Sequence, residues 1–279
     1  MKKIIAAIDG LKYSDSTVKH AIGLARQSNA HLVGLMLDDF TYHSYKIFEL
    51  AGDEGIDELK HRRLEKRDQE TRKRSVIEFE ILCKKAGINY SIHYDRNIAL
   101  QELLHESVYA DLLVIDSRET LTHYEEKAPT RFIRNLLSEV QCPVLIVPHA
   151  FENYEKIILL YDGEPSSVFA IKSFSYILPA LKYLDTEVIS VNSDKQSLHL
   201  PDNTLMKEFM KRHYPEATYT VLQGNTEEEI IKKLRNEGAQ TLVVLGAYRR
   251  GMVSRWFRPS MADVLMESLN LSLFIAHNK

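Results

Sequence analysis

Cysteine is nearly missing from this sequence: two in 279 residues, with a single tryptophan. Cys83 and Cys142 do not form a Cys-x-x-Cys pair, which argues against a disulfide framework or zinc ribbon and leaves both thiols as packing residues. None of the 11 histidines stands in a His-Glu-x-x-His or Cys/His ligand spacing, so no metal site is expected. Apolar runs are short, and none nears the roughly 20 residues that a membrane-spanning helix needs. Met1-Lys2-Lys3 leads straight into an apolar strand pattern instead of a signal-peptide core, so a soluble, cytoplasmic chain without a membrane partner is expected. An excess of charge is lacking too. With 36 Lys and Arg against 39 Asp and Glu, the formal net charge is -3, which speaks against a general nucleic-acid partner. No Gly-x-Ser-x-Gly elbow surrounds Ser254, and no catalytic set can be assembled, so the chain does not read as an enzyme.

What the sequence does hold is a repeated strand, loop and helix. The apolar run Leu242 to Leu245 reaches Gly246, an Arg-rich loop follows, and Pro259 and Ser260 open a helical pattern before a last apolar run. That order sets a helix start where an anion could meet it. Residues 111 to 147 repeat it, with Asp116 in the place of Gly246 and Pro129 and Thr130 in the place of Pro259 and Ser260. The openings match as well: Lys3-Ile-Ile-Ala-Ala-Ile-Asp9-Gly10 is echoed by Lys156-Ile-Ile-Leu-Leu-Tyr-Asp162-Gly163. The chain is therefore expected to hold two copies of one domain, residues 1–149 and 156–279, joined by a short linker.

Strands alternate with helices through both copies, which predicts parallel βαβ units with right-handed crossovers. The fold class expected is α/β: two tandem doubly wound domains, each a five-stranded parallel sheet with helices on both faces. The first copy is the longer one, and its extra residues fall between Phe40 and Arg74. There a loop interleaved with aromatics runs into a long helix over 57–85, whose His61-Arg-Arg-Leu-Glu-Lys-Arg-Asp-Gln-Glu face reads as solvated charge supported by i,i+4 pairs. Pro129 is expected to be the first residue of its helix, and the first helix of the second copy is expected over 165–182.

These openings, the Ala110-Asp-Leu-Leu-Val-Ile and Thr241-Leu-Val-Val-Leu-Gly strands and the closing Cys142-Pro-Val-Leu-Ile-Val-Pro together resemble the universal stress protein family in its tandem form. The resemblance covers essentially the whole chain. It implies a non-catalytic stress-response module that pairs its two copies as an intramolecular pseudo-dimer, with further homo-oligomers open to it. Nucleotide-binding members carry Gly-x2-Gly-x9-Gly-Ser/Thr after the fourth strand, where bare backbone and a helix N-terminus receive phosphate. In the second copy the matching residues are Gly246, Arg249, Pro259 and Ser260. Two glycines are gone, but Arg249 and Arg250 can pair an anion; the competing reading is a solvated or subunit-facing loop.

Asp9 and Asp162 match the family position at the adenine end of the nucleotide; a strand-end aspartate that holds its own turn is the competing reading. The resemblance thus implies ATP or another adenine nucleotide as the cofactor of the second copy. Its cleft would be formed by Asp162, Gly163, Val191 and Gly246, closed by Arg249, Arg250, Gly251, Ser260 and Met261. The first copy has a degenerate equivalent in Asp9, Gly10, Asp116, Glu119 and Thr130, where two carboxylates stand on the phosphate side and repel a polyphosphate. The alternative is an interaction or scaffold protein in which both nucleotide sites have decayed.

Overall fold

The computed structural model describes residues 1–38, 42–45, 51–52, 55–95, 98–192, 199–246 and 260–277. Its contacts divide the chain into two compact units, Lys2–Gln141 and Met1 with Cys142–Lys279. No helix among the described residues is long and apolar enough to cross a membrane.

In the first unit β1 (Lys3–Asp9) is followed by α1 (Asp15–Ser28) and β2 (His31–Leu37). Two-residue strands β3 (Ala51–Gly52) and β4 (Gly55–Ile56) pair antiparallel ahead of α2 (Glu58–Ala86). Then come β5 (Tyr90–Asp95), α3 (Ala99–Ser107), β6 (Leu112–Asp116) and α4 (Arg131–Glu139). The four long strands are parallel in the order β6-β1-β2-β5. Ile4 through Ile8 are all buried, as a strand covered on both faces requires. The order explains that cover. The chain steps one way from β1 to β2 to β5 and then returns to β6, so right-handed crossovers put α1 and α2 on one face and α3 on the other. α3 packs with α4 accordingly.

Helix boundaries follow their caps. Ser14 accepts from the Thr17 amide and Asn29 turns left-handed at the end of α1. In α2, Asp57 caps the start and Gly87 the end. The C-terminal half of α2 sits on the sheet through Ser75, Phe79 and Cys83, spaced four apart. Its N-terminal half carries exposed i,i+4 pairs such as Arg62 with Glu58.

The second unit runs β7 (Val144–Val147), β8 (Lys156–Leu160), α5 (Pro165–Ile177), a 3-10 turn (Pro179–Tyr183) and β9 (Asp185–Asn192). It continues with α6 (Asn203–His213), β10 (Thr218–Gln223), α7 (Thr226–Leu234), β11 (Thr241–Gly246), α8 (Met261–Ser268) and β12 (Ser272–Ala276). Strands β10-β9-β8-β11-β12 are parallel in that order. β7, which closes the first copy in sequence, pairs antiparallel with β12, Leu145 opposite Phe274.

Two helix boundaries differ from expectation. α5 stops at Ile177 rather than 182, because Pro179 disfavours helix in the residue before it and the chain tightens into the 3-10 turn. Pro129 is not the first helical residue: Thr130 accepts from the Ile133 amide and is itself the N-cap, which leaves the proline outside. The same holds for Ser260, the N-cap of α8, whereas Pro259 lies outside the described residues.

Candidate functional site

In open α/β sheets the carboxyl ends of the strands form the ligand edge. β1 ends at Asp9, β2 at Leu37 and β6 at Asp116 in the first unit, so the folding of these strands sets the candidate residues on one edge.

The first-copy edge is packed with its own chain. Asp9 is buried; its Oδ1 accepts from the Leu11 amide at 2.7 Å and its Oδ2 from the Tyr42 hydroxyl at 3.0 Å. Tyr42 is buried as well, with Lys12 Nζ 5.4 Å from its ring centroid. The segment that carries Tyr42 is held by α2. Arg72 donates to the Tyr42 carbonyl at 3.0 Å and pairs with Asp38 at 3.0 Å, and the Ser44 amide donates to buried Asp68 at 2.9 Å. Ser75 donates to the Gly10 carbonyl at 2.8 Å. Asp38, Tyr42, Ser44, Asp68 and Arg72 lie within or beside the stretch by which the first copy exceeds the second.

The phosphate side of the first copy is equally occupied. Asp116 accepts from Ser14 Oγ and from the Arg118 amide, both at 2.9 Å. Glu119 Oε1 accepts from the Thr120 and Leu121 amides at 2.8 Å. Thr130 Oγ1 donates to the Glu119 carbonyl. The amide of Arg131, first in α4, donates to Glu126 at 2.7 Å, a carboxylate where an anion would otherwise stand. Burial, aided by the nearby charge of Asp9, raises Glu119 from 4.5 to about 7, and burial raises Asp9 as well. The Tyr42 hydroxyl is pushed above its ordinary value by burial and by Asp9, so it stays a neutral donor.

The second-copy edge is more open. Asp162 is exposed, and its Oδ1 accepts from the Glu164 amide at 2.9 Å and from Ser167 Oγ at 2.7 Å. It therefore holds its own turn without an aromatic over it among the described residues. Gly163 follows with φ 83°, and Val191 stands half-buried near the end of β9, paired with Leu222. Gly246 has a packing reason to be glycine: a Cβ there would come within 2.4 Å of the Ser166 carbonyl oxygen in the first turn of α5. The same glycine that matches the nucleotide motif thus also permits helix and strand to touch. Ser260 forms a capping box with Asp263, each backbone amide bonded to the other's side chain at 3.2 and 3.0 Å. Met261 begins α8, half-buried. Arg249, Arg250 and Gly251 lie outside the described residues.

The sequence did not point to Tyr42, Asp68 or Arg72. Their only signal was position: aromatics and charges in the stretch that the second copy lacks. Among the described residues there is no cluster of three or more metal-type ligands, and both cysteines are buried and outside any disulfide.

A universal stress protein from Archaeoglobus fulgidus superposes over 99% of this chain and 98% of its own, with TM-score 0.70 and 14% identity. A functionally unknown protein from Pseudomonas aeruginosa PAO1 does so over 99% and 92%, with TM-score 0.62 and 15% identity. A universal stress protein solved in complex with cAMP aligns with 46% of this chain and 100% of its own, at TM-score 0.37 and 12% identity. No curated protein matches the sequence. The universal stress protein family model matches residues 1–148, more than half of the chain. With the α/β fold and the strand-edge residues in the family's order, the chain belongs to the universal stress protein family.

Proposed function

We propose that this chain is a cytoplasmic, non-catalytic stress-response module of two copies, residues 1–149 and 156–279, in which adenine nucleotide binds to the second copy alone. One observation carries the reading: Asp162 is exposed at its strand end, whereas Asp9, its counterpart, is buried beneath Tyr42. A base approaching the first copy meets a tyrosine that has already made the hydrogen bond, and a polyphosphate meets Asp116 and Glu119. In the second copy Asp162, Gly163, Val191, Gly246, Ser260 and Met261 would contact the ligand, with Arg249, Arg250 and Gly251 supplying the phosphate side.

Mass spectrometry of the supernatant from denatured intact protein should find an adenine nucleotide, and calorimetry should find one site for ATP. Asp162→Ala and the pair Arg249→Ala with Arg250→Ala should each weaken it, the latter because charge-assisted bonds to phosphate contribute roughly 1.5 to 3 kcal/mol each. Tyr42→Ala should leave it unchanged. ATP held at the first copy and not at the second would sink the proposal.

A second reading, a scaffold whose sites have both lost their ligand, is favoured by the helix starts. Asp263 bonds the Ser260 amide and Glu126 the Arg131 amide, so carboxylates of the chain itself satisfy donors that a phosphate would use. Wild type silent toward millimolar ATP, with binding gained by Arg249→Gly and Pro259→Gly together, would support it.

A further inference from the structure

A groove in the second unit adjoins the cleft just described. Its volume is about 620 Å³, within the range of small-molecule sites, and of the cleft's described residues Gly163 lines it whereas Asp162, Val191, Gly246, Ser260 and Met261 do not. Two facing helical stripes form its walls. Pro165, Val168, Phe169 and Lys172 follow one another at i, i+3, i+4 and i+7 on α5; Asp202, Leu205, Met206 and Phe209 do the same from the N-cap of α6. Such spacing puts each set on one side of its helix.

The topology fixes how the stripes align. α5 and α6 follow neighbouring parallel strands β8 and β9 on the same face of the sheet, so they run side by side in the same direction. Asp202 is therefore level with Pro165 at the mouth, and Lys172 is level with Phe209 at the far end. Seven residues of helix separate the two ends, about 10 Å. Buried Met206 and Tyr161 make the floor, and Leu205 remains largely exposed.

Each end carries one charge. The Asp202 side chain makes no cap bond to its own helix, and Lys172 forms no salt bridge to a carboxylate among the described residues. Near Lys172 stands His213, which burial and the Lys172 charge hold below its ordinary value. This end of the groove is thus cationic through Lys172. A corresponding cavity in the first unit is built differently. It is lined by Gly10, Leu37, Asp38, Arg72, Ile77 and Tyr94 among others, and its Arg72 is paired with Asp38 at 3.0 Å.

We infer that the α5–α6 groove, which meets the nucleotide cleft at Gly163 but runs away from it between the helices, is a binding site for a small planar aromatic zwitterion. The ring lies along Phe169 and Phe209, its carboxylate meets Lys172, and its protonated amine meets Asp202 at the mouth. An apolar ring matches the aromatic walls, and opposite charges at the two ends match the Lys172 ammonium and the Asp202 carboxylate. A ligand with only one charge would forgo one of these two pairings.

The probe is 4-(aminomethyl)benzoate, titrated into the full-length chain by calorimetry, with benzoate and benzylamine as single-charge controls. Saturable 1:1 binding is expected, and both controls should bind more weakly. Lys172→Met and Asp202→Asn should each lower the affinity about tenfold or more. Both side chains are exposed, so these variants keep the fold. Saturating ATP should leave the probe affinity unchanged. Absence of saturation at the solubility limit, wild-type affinity in both charge variants, or displacement of the probe by ATP would each overturn the inference.

Discussion

The two copies share a strand order and a strand-edge aspartate, yet the first buries its aspartate beneath a tyrosine while the second leaves it exposed. In the first copy the added stretch carries Ser44, Asp68 and Arg72, which hold Tyr42 over Asp9. In the second copy the chain passes from β9 to α6 without that stretch, and Asp162 bonds only its own turn among the described residues. The difference teaches that a ligand cleft can be closed without change to the sheet: one inserted segment supplies the hydroxyl, and the loop after the fourth strand supplies carboxylates.

The largest expected effect tests the cost of that closure. Glu119 is raised from 4.5 to about 7 by burial and by Asp9. A carboxyl with a raised folded-state pKa binds its proton more tightly in the folded chain. Its contribution is therefore most favourable below 4.5, declines through the window from 4.5 to 7, and is flat above. Between those limits the loss is roughly 3 kcal/mol. Glu119→Gln should remove most of this slope and stabilise the protein at pH 8 relative to wild type, read from urea denaturation at several pH values. An unchanged slope in the variant would mean that Glu119 is not the buried acid of this cleft.

Next comes the turn after each aspartate. Gly163 has φ 83°, and an added Cβ would lie 2.6 Å from Pro201 Cβ. A Cβ at Gly10 would meet Arg72, nearest at Cγ, 3.0 Å away, with Cβ and Cα at ordinary contact distances of 3.5 and 3.8 Å. Gly163→Ala should cost about 2 to 3 kcal/mol through backbone strain and overpacking, and Gly10→Ala less than about 1 kcal/mol. Equal costs would show that the two turns are more alike than their surroundings.

Tyr42→Phe isolates the hydrogen bond itself. It keeps the ring beneath Lys12 but leaves a buried Asp9 oxygen without its hydroxyl donor, at a cost of about 1 to 2 kcal/mol. The Leu11 amide remains, so the aspartate retains one partner. Chemical denaturation at pH 8, where Asp9 has most need of donors, should show the largest difference, and no loss of stability at any pH would count against the closure.

The strand skeleton was legible because buried parallel strands write themselves as continuous apolar runs, as in Ile4 to Ile8 and Leu242 to Leu245. The repeat expected from the sequence rests on Asp9-Gly10 and Asp162-Gly163, which end matching runs. Cap chemistry was less so: Pro129 looked like a helix start, but the Thr130 hydroxyl competes for that boundary and wins it. The closed first cleft was half visible. Asp116 and Glu119 announced an acidic phosphate side, yet nothing local tells that Tyr42 returns to Asp9 across 33 residues, because a loop residue's partner is set by the helix that anchors the loop. Asp68 reads as one charge among many on α2, although it is buried.

The smallest effect addresses the helix starts, where both copies use a carboxylate of the chain. Asp263→Ala removes the acceptor of the Ser260 amide and half of the capping box. Losing a cap costs about 1 kcal/mol, and here the loss falls on α8, a helix of eight residues. The same change frees the amide and removes a negative charge at the one place where an incoming phosphate would want both. ATP affinity of the second copy should therefore rise severalfold in Asp263→Ala while stability falls, an inverse pair of changes that calorimetry and denaturation read independently. Glu126→Ala at α4 makes the matching vacancy in the first copy. There the affinity should stay at zero, since Tyr42, Asp116 and Glu119 still fill the rest of the cleft. A first copy that gained ATP from Glu126→Ala alone would mean that its helix cap, and not the inserted segment, had been the barrier.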